Sequence, residues 1–328
     1  MRSVSLLLLL LHICTSYCQA GSILIIESYH QEYPWDVNFN QGIRTIVKDK
    51  LEFHHAYMNT KRLPTVEFIQ QADLAWQQYL TLKPDLVVLA DDNAIRLLSS
   101  RFAKTEIPIV FLGLNSNPRD YDLHTFTNFT GVLERPLFKR SILLVNQTLA
   151  NRKDKKVLVL FDNSRTSKAA VESLIQPEQE QLRLGNTQVN LELSLSYTAW
   201  QRTVLAAKEK GYDAIYIGLY HTLVDKHGSN TSPSEVMTWT NRNSPVPHFG
   251  FWEFSIGSKS NIGGYVLDGF EHGKLAGELI LQILAGKEPS DLPYISDKQG
   301  QYLFSTAGVE KWSIVIPKEI KAKSIWKD

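Results

Sequence analysis

Short apolar runs that alternate with segments of helical periodicity are the feature of this sequence that most constrains its fold. The runs lie at 23–26, 86–90, 107–112, 157–161 and 214–218. A strand that is apolar without alternation has to be buried on both faces, which is typical of parallel sheets covered by helices. The intervening segments repeat apolar residues at helical spacing, as Phe39, Ile43 and Val47 do. The pattern predicts an α/β fold built from strand–helix crossover units.

The strand–helix pattern occurs twice, from residue 22 to about 130 and again from about 137 to 250. We interpret this as two doubly wound parallel-sheet lobes, and the chain is long enough for two domains of roughly 150 residues each. The joining stretch, 115–136, contains turn residues and two prolines. Ligands of doubly wound sheets bind beyond the carboxyl ends of the strands. Two such lobes facing each other would therefore enclose one cleft.

The first 20 residues have the layout of a secretory signal peptide. Arg2 precedes an apolar stretch over 4–11, and a small-x-small cleavage site follows at 18–20. The apolar stretch is shorter than the roughly 20 residues that a membrane-spanning helix needs. We therefore predict cleavage after Ala20 and a periplasmic or secreted protein.

Both cysteines of the chain, Cys14 and Cys18, lie in the predicted signal peptide. Lipid anchoring at Cys18 is the less favoured alternative, because bulky Tyr17 stands where lipoprotein signals carry a small residue. The mature chain would have no cysteine, which excludes a disulfide scaffold, a thiolate nucleophile and a cysteine metal site. Without Arg2 it would have 34 basic and 34 acidic residues. A neutral chain gives no electrostatic reason to expect binding to nucleic acid or to an anionic membrane.

Familiar catalytic and phosphate-binding motifs are missing from the sequence. It contains no Gly-x-Ser-x-Gly, no Gly-x-x-x-x-Gly-Lys and no Gly-x-Gly-x-x-Gly. The histidines do not fall at metal-ligand spacing, and the adjacent His54 and His55 would point to opposite faces of a strand. We therefore expect no cofactor and no metal. An exported hydrolase on the same scaffold is the alternative function, and it would need a nucleophile and a base that the sequence does not show.

Seven polar or aromatic residues follow or end predicted strands, where α/β proteins bind ligands. These candidate ligand-binding residues are Tyr29, Tyr33, Asp91, Asn115, Asp162, Tyr220 and Glu253. The rings would supply contact area, and the acids and the amide would orient the ligand. A structural alternative exists for each type, since the aromatic residues could pack their loops and Asn115 could form an Asx turn. Asp91 is the strongest candidate, because its neighbour Asp92 is sufficient to cap the following helix.

Several segments of the chain are similar to one known family. The most specific is the first loop, with Ile-Glu-Ser-Tyr-His at 26–30 and Tyr-Pro-Trp at 33–35. Segments shared more widely lie at 85–94, 108–111, 131–132, 247–250, 263–265 and 272–278. On these residues the chain resembles the bacterial ABC transporter substrate-binding protein family, which has the type 1 periplasmic-binding-protein fold. Within it, the chain looks closest to the branch that also forms the extracellular sensor part of histidine kinases.

The resemblance implies a three-crossover hinge between the lobes, with segments near 117–136, 250–262 and 288–298. The lobes would then comprise 21–130 with about 262–288, and 131–250 with about 298–328. The family implies binding without catalysis, in which the lobes close around a small molecule. The aromatic and amide side chains suggest a ligand with an aromatic or amide-bearing group. Its expected destination is an ABC permease or a membrane sensor kinase.

We expect residues 1–20 to be absent from the protein that the native host exports, because they combine a basic start, an apolar stretch and a cleavage site. Intact-mass measurement should give a chain that begins at Gly21. A mass that retains Met1, or that includes lipid on Cys18, contradicts this expectation.

Overall fold

The structure, a computed structural model, describes residues 21–149, 153–174 and 182–328. The predicted signal peptide lies outside the described residues. Strands and helices alternate along the described chain, as the apolar pattern predicts. The first elements are β1 (Gly21–Glu27), α1 (Pro34–Val47), β2 (Leu51–Tyr57), α2 (Phe68–Leu82), β3 (Leu86–Ala90), α3 (Asp91–Phe102), β4 (Ile109–Leu114) and β5 (Phe129–Leu133).

The alternation continues in the middle of the chain and becomes less regular near its end. The middle elements are α4 (Phe138–Thr148), β6 (Lys155–Asp162), α5 (Arg165–Leu174), β7 (Leu182–Leu184), β8 (Thr187–Ser194), α6 (Tyr197–Ala206), β9 (Ala214–Ile217), α7 (Pro233–Asn243) and β10 (His248–Gly250). The last are β11 (Gly263–Val266), α8 (Gly269–Leu284), β12 (Ile295–Ser296), β13 (Gln301–Ser305), α9 (Thr306–Lys311), α10 (Lys318–Lys321) and β14 (Ser324–Lys327). In the described part of the chain, no helix has the length and apolar character needed to cross a membrane.

Strand pairing within the described residues produces three sheets. The first has the order β12-β5-β4-β3-β1-β2 and is parallel throughout. The second has the order β10-β9-β6-β8-β7 and is parallel except at β7–β8. A small third sheet, β11-β13-β14, packs on α4. We call the elements around the first and second sheets the first and second lobes, and they confirm the predicted doubly wound α/β fold.

The strands of the first sheet are buried on both faces. In β1, Ile23 and Ile25 belong to the core that includes Phe39 of α1, whereas Leu24 and Ile26 belong to the core formed with α2 and α3. Because successive side chains of a strand point to opposite faces, one apolar run serves two cores. Burial of each aliphatic side chain contributes roughly 1.5–3 kcal/mol. The uninterrupted apolar runs in the sequence therefore mark the central strands.

Helices α1 and α8 approach each other so closely that glycines form their contact. A Cβ atom on Gly42 would lie 2.1 Å from the Phe270 carbonyl oxygen, and one on Gly273 would lie 2.0 Å from the Phe39 carbonyl oxygen. Backbone atoms move far less readily than the end of a flexible side chain, so a larger residue does not fit here. This contact fixes α8 to the first lobe, although α8 follows the second lobe in the chain.

The variant Gly273→Ala should be destabilised by about 1–3 kcal/mol or more, because the added methyl group overpacks the contact between α1 and α8. Urea denaturation measures the change in the free energy of unfolding. Gly257→Ala is the matched control, since no atom lies within 4 Å of a Cβ at that position. Equal stability of the two variants would show that α8 is not held by this contact.

Candidate ligand site between the lobes

The carboxyl ends of parallel strands from both lobes meet at one cleft. Two polar contacts join the lobes there. The Asn230 side-chain amide donates to the Lys61 carbonyl oxygen over 2.6 Å, and the Tyr33 hydroxyl lies 3.5 Å from His221 Nε2. The cleft holds a cavity of about 740 Å³ near His221 and another of about 440 Å³ near Tyr29. Both volumes suit a small molecule.

A lysine and two tyrosines lie at the centre of the cleft. Tyr29 and Tyr33 pack edge to face with ring centroids 4.7 Å apart. The Lys61 ammonium lies 4.4 Å from the Tyr29 ring centroid and 5.5 Å from that of Tyr33, within the range of a cation–π contact. Lys61 is only 8% exposed, and this burial lowers its pKa. The lysine therefore occupies the face that the two tyrosines would offer to a ligand.

Four buried carboxyl groups, Asp162, Asp91, Asp36 and Glu134, act on Lys61 electrostatically and favour its charged form. Burial raises the pKa of Asp36 and of Asp91 well above the usual range, and neighbouring acids raise both further. Burial likewise raises the pKa of Glu134 to about 7. Both carboxyl oxygens of Asp36 and Oδ2 of Asp91 have no hydrogen-bond partner. A buried polar atom without a partner costs free energy, which a ligand donor would recover.

The backbone at Asp91 is strained. Its φ of 65° lies in the left-handed region, which costs a residue with a side chain about 1–2 kcal/mol. Strain of this kind persists where the surrounding structure enforces it, and it is concentrated at functional sites. The structure thus places Asp91, the strongest sequence candidate, in a strained position with a partnerless oxygen.

The next residue, Asp92, links α3 to the loop that follows β4. Its carboxylate accepts from the Ser116 N–H at 2.9 Å and hydroxyl at 2.7 Å, and more weakly from Asn115. The first turn of α3 is capped from β1 instead, because the Ser28 hydroxyl accepts from the Ala94 N–H over 2.8 Å. The prediction that Asp92 caps α3 is therefore wrong. Its side chain points towards β4 because Ser116 and Asn115 offer it more donors.

Asn115 and Asp162 are buried at the ends of strands next to the cleft. Asn115 Nδ2 lies 3.3 Å from Asp92, while its Oδ1 is buried without a partner. Asp162, in the second lobe, accepts from the Ser167 hydroxyl at 2.5 Å and from the Thr222 N–H at 3.1 Å. Burial acts to raise the pKa of Asp162, but Lys61 and these hydrogen bonds bring it below the ordinary value. Asp162 is ionised at neutral pH and holds the loops after β6 and β9 together.

An aromatic wall forms where the two lobes and the segment after β10 meet. The ring centroid of His221 lies 4.4 Å from that of Tyr220, 5.3 Å from that of Tyr33 and 5.5 Å from that of Phe254. Glu253 lies outside this wall. Its Oε1 accepts from Asn38 of α1 over 2.9 Å, and burial raises its pKa to about 7. Of the seven predicted residues, Tyr29, Tyr33 and Tyr220 line the two cavities of the cleft. The other four are buried and line neither cavity, and they are Asp91, Asn115, Asp162 and Glu253.

A hydrogen-bonded group lies behind the acids, where the chain passes between the lobes. The Trp252 indole N–H donates to Glu134 over 2.7 Å. His272 of α8 has Nδ1 2.6 Å from Asp297, and its Nε2 accepts from the Gly113 N–H at 3.0 Å. Because Nε2 accepts, the proton of the neutral ring is on Nδ1, facing Asp297. The Trp252 bond connects two predicted hinge segments, and the His272 bonds connect a third to Gly113 near the end of β4.

Four further buried residues at or next to the cleft are not among the candidates predicted from the sequence, namely Asp36, Lys61, Glu134 and His221. Asp36 directly follows the Tyr-Pro-Trp segment at 33–35, and His221 directly follows the candidate Tyr220. Lys61 and Glu134 follow β2 and β5, and polar residues interrupt the apolar runs of these two strands. Recognition of those strands would have pointed to both residues by the same strand-end rule.

Two doubly wound lobes that meet over a buried polar site define a two-lobed binding protein. The chain belongs to the ABC transporter substrate-binding protein family, whose sequence profile matches residues 40–325. Proteins of this family bind substrates rather than convert them, and they are typically periplasmic or extracellular. A comparison with curated protein sequences finds no significant match.

Solved structures share the fold over nearly the whole chain. An ABC domain from Streptococcus pneumonia in complex with L-Trp is 19% identical with a TM-score of 0.68, covering 93% of this chain and 99% of that one. A conserved domain protein from Vibrio cholerae has the same identity and TM-score, covering 94% and 100%. The ligand-free, open structure of a substrate-binding protein with adhesive properties from Clostridium difficile is 13% identical with a TM-score of 0.65, covering 94% and 100%. At these identities the likeness establishes the fold.

The raised pKa of Glu134 predicts a pH-dependent contribution to stability. Its pKa is about 7 in the folded protein against an ordinary 4.5, so the folded state holds this proton more tightly than the unfolded state. As pH rises from about 4.5 to 7, stability should fall by up to about 3 kcal/mol from this group, and it should change little above that range.

The variant Glu134→Gln removes the titration and keeps an acceptor for Trp252, so its Tm should change less between pH 5 and pH 8 than that of the parent. Thermal denaturation at several pH values measures this. Glu288→Gln, at an exposed position, is the control and should follow the parent. Parallel curves for parent and Glu134→Gln would contradict the assigned pKa.

Proposed function

We propose that this chain is an exported solute-binding protein whose two lobes close around a small molecule without converting it. The observation that carries the proposal is the group of buried carboxyl oxygens without partners, both of Asp36 and Oδ2 of Asp91, in the part of the first lobe that borders the cleft. Buried polar atoms are normally hydrogen-bonded, so exceptions in a cleft beside aromatic rings favour a ligand as the partner.

The alternative of an exported hydrolase would need a nucleophile next to a base. Among the described residues, the one hydroxyl group that contacts a histidine ring is that of Tyr33, 3.5 Å from His221. The other histidine hydrogen bonds go to acids, an amide, a guanidinium and a backbone N–H. Serine and threonine hydroxyls in this part of the chain thus have no histidine base, which favours binding over hydrolysis.

We propose that the lobes move about the segments between the sheets. The moving units are 21–130 with about 262–288 and 131–250 with about 298–328, and the hinges are near 117–136, 250–262 and 288–298. The contact of α8 with α1 supports this division, because it returns the chain to the first lobe. The cross-lobe bond from Asn230 to Lys61 is then a contact of the closed form.

The ligand should combine a planar ring with a hydrogen-bond donor such as an amine. The rings of Tyr220 and Phe254, which line the larger cavity, suit a planar group, and the free oxygens of Asp36 and Asp91 suit a donor. The similar Streptococcus pneumonia structure holds L-Trp, which has both groups. L-tryptophan is therefore the first probe in a screen of amino acids, amines and sugars.

Closure would convert solute binding into a signal for a membrane partner. A partner that contacts both lobes distinguishes the closed form, since the two halves of its docking surface align only there. We propose an ABC permease as this partner, in keeping with the family, and a membrane sensor kinase as the alternative. Co-purification of the ligand-loaded protein with each membrane protein encoded beside it distinguishes the two.

Binding of a solute should reduce the radius of gyration, because the lobes turn towards each other about the hinge segments. Small-angle scattering of the purified mature chain, with and without the solute that most raises Tm, measures the change. An unchanged radius with saturating solute would contradict hinge closure. A screen in which no solute raises Tm would contradict the binding function itself.

The variant Asp91→Asn should bind the most stabilising solute at least about tenfold more weakly, since it removes a charge-assisted hydrogen bond worth roughly 1.5–3 kcal/mol. Calorimetry measures the affinity. Asp120→Asn, an exposed change of the same type, is the control and should bind like the parent. Unchanged affinity in Asp91→Asn would return Asp91 to a structural role.

A further inference from the structure

The larger cavity of the cleft, about 740 Å³, differs in charge from the acid cluster around Lys61. Both lobes and the segment after β10 line it. Its cationic side chains are Lys61, Arg62 and Lys259, and the described residues that line it include no carboxylate. Arg62 is partly balanced by Glu32, 3.5 Å away, but both side chains are exposed and the attraction is correspondingly weak. The cavity wall is therefore net positive.

The N-terminus of α7 opens into this cavity through Ser232, Pro233 and Ser234. No side chain caps this helix, so the backbone N–H groups of its first turn remain available to an acceptor. The first turn of a helix also carries a partial positive charge, which favours an anion. Pro233 at the first position suits the helix start and has no N–H group to satisfy.

A second observation, independent of the helix, also points to an anion. Two buried side chains of the cavity wall have hydrogen-bond donors without partners. Thr231 is 6% exposed and its hydroxyl has no hydrogen-bond partner. His221 is 5% exposed, and its Nδ1 also has none. With the proton on Nδ1, His221 Nε2 can accept from the Tyr33 hydroxyl, and the Nδ1–H is left for an acceptor.

Aromatic rings stand next to these donors. Tyr33, Tyr220 and Phe254 surround His221 and also line the cavity. A planar group could stack on this wall while an attached anion reached the start of α7. Tyr33 and Lys61 belong both to this wall and to the acid cluster, so one ligand could span the two regions.

We infer that this cavity contains an oxyanion subsite, formed by the start of α7, Thr231, His221 and Lys259, for a carboxylate or phosphate attached to a planar ring. The inference rests on the proposed solute-binding function and specifies the class of its ligand. Lys259 lies at the exposed rim, where it attracts the anion, and the buried donors fix its orientation.

Calorimetry with four probes of known charge tests the subsite. Indole-3-propionate carries only a carboxylate, tryptamine carries only an ammonium group, and L-tryptophan carries both. Phenyl phosphate carries a phosphate, which is the other oxyanion to be tested. We expect indole-3-propionate, phenyl phosphate or both to bind, and L-tryptophan to bind at least about tenfold more tightly than tryptamine, as charge-assisted bonds to an oxyanion require. Whichever of the two pure anions binds more tightly identifies the oxyanion that the subsite prefers.

Two variants locate the subsite. Lys259→Gln and Thr231→Val should each lower the affinity for the anionic probes by about three- to tenfold. The affinity for tryptamine should stay within about twofold of that of the parent protein. Thr231→Val should not lower Tm, because it removes a hydroxyl that has no partner in the protein. Lys226→Gln, an exposed charge change outside the cavity, is the matched control.

If the variants lowered the affinities for tryptamine and indole-3-propionate equally, the inferred subsite would be wrong. It would also be wrong if Lys259→Gln and Lys226→Gln bound the anionic probes with the same affinity. Failure of both pure anions to bind, while tryptamine or a sugar does, would also overturn it and leave the solute-binding function intact. A protein that binds no solute at all would instead contradict the proposed function, so the two failures are distinguishable.

Discussion

The first sheet is parallel throughout and the second is parallel except at β7–β8, and both are covered on both faces. This constraint determines where the interior of the protein can be polar. Along β1 and β3 the side chains face one apolar core or the other, so polar groups are restricted to strand ends. Parallel strands all end at the same edge. Each sheet therefore presents one polar edge, and the three crossings of the chain turn these two edges towards each other.

The side chains of this cleft reduce the stability of the fold when no ligand is bound. Asp36, Asp91 and Glu134 are buried and act electrostatically on one lysine, and Asp91 also has a strained backbone. Burial favours the neutral form of a carboxyl group, as the raised pKa values of all three show. A structure selected for stability alone would fill this space with apolar side chains. Binding offers a physical reason for the arrangement, because a ligand that supplies donors stabilises the form in which the lobes meet.

The contacts behind the cleft involve the predicted hinge segments. Asp91 lies beside Gly113, whose N–H donates to His272, and His272 in turn contacts Asp297 near the third crossing. Glu134 follows β5 at the first crossing and accepts from Trp252 at the second. Gly113 is thus linked through His272 to the third crossing, and Glu134 links the first crossing to the second.

The sequence by itself determined the doubly wound α/β fold, because an uninterrupted apolar run marks a central strand. The strand-end rule then indicated candidate residues, of which Tyr29, Tyr33 and Tyr220 line the cavities of the cleft. It left Lys61 and Glu134 unnoticed, since they follow strands with mixed composition. Tertiary structure alone decided which side chain caps α3 and which groups Asp92 bonds. Ser28 accepts a hydrogen bond from the N–H of Ala94, which lies 66 residues away along the chain. Asp92 lies 24 residues from its hydrogen-bond partner Ser116. Local propensity describes a residue and its neighbours along the chain, whereas these roles depend on groups that only the folded sheet brings together.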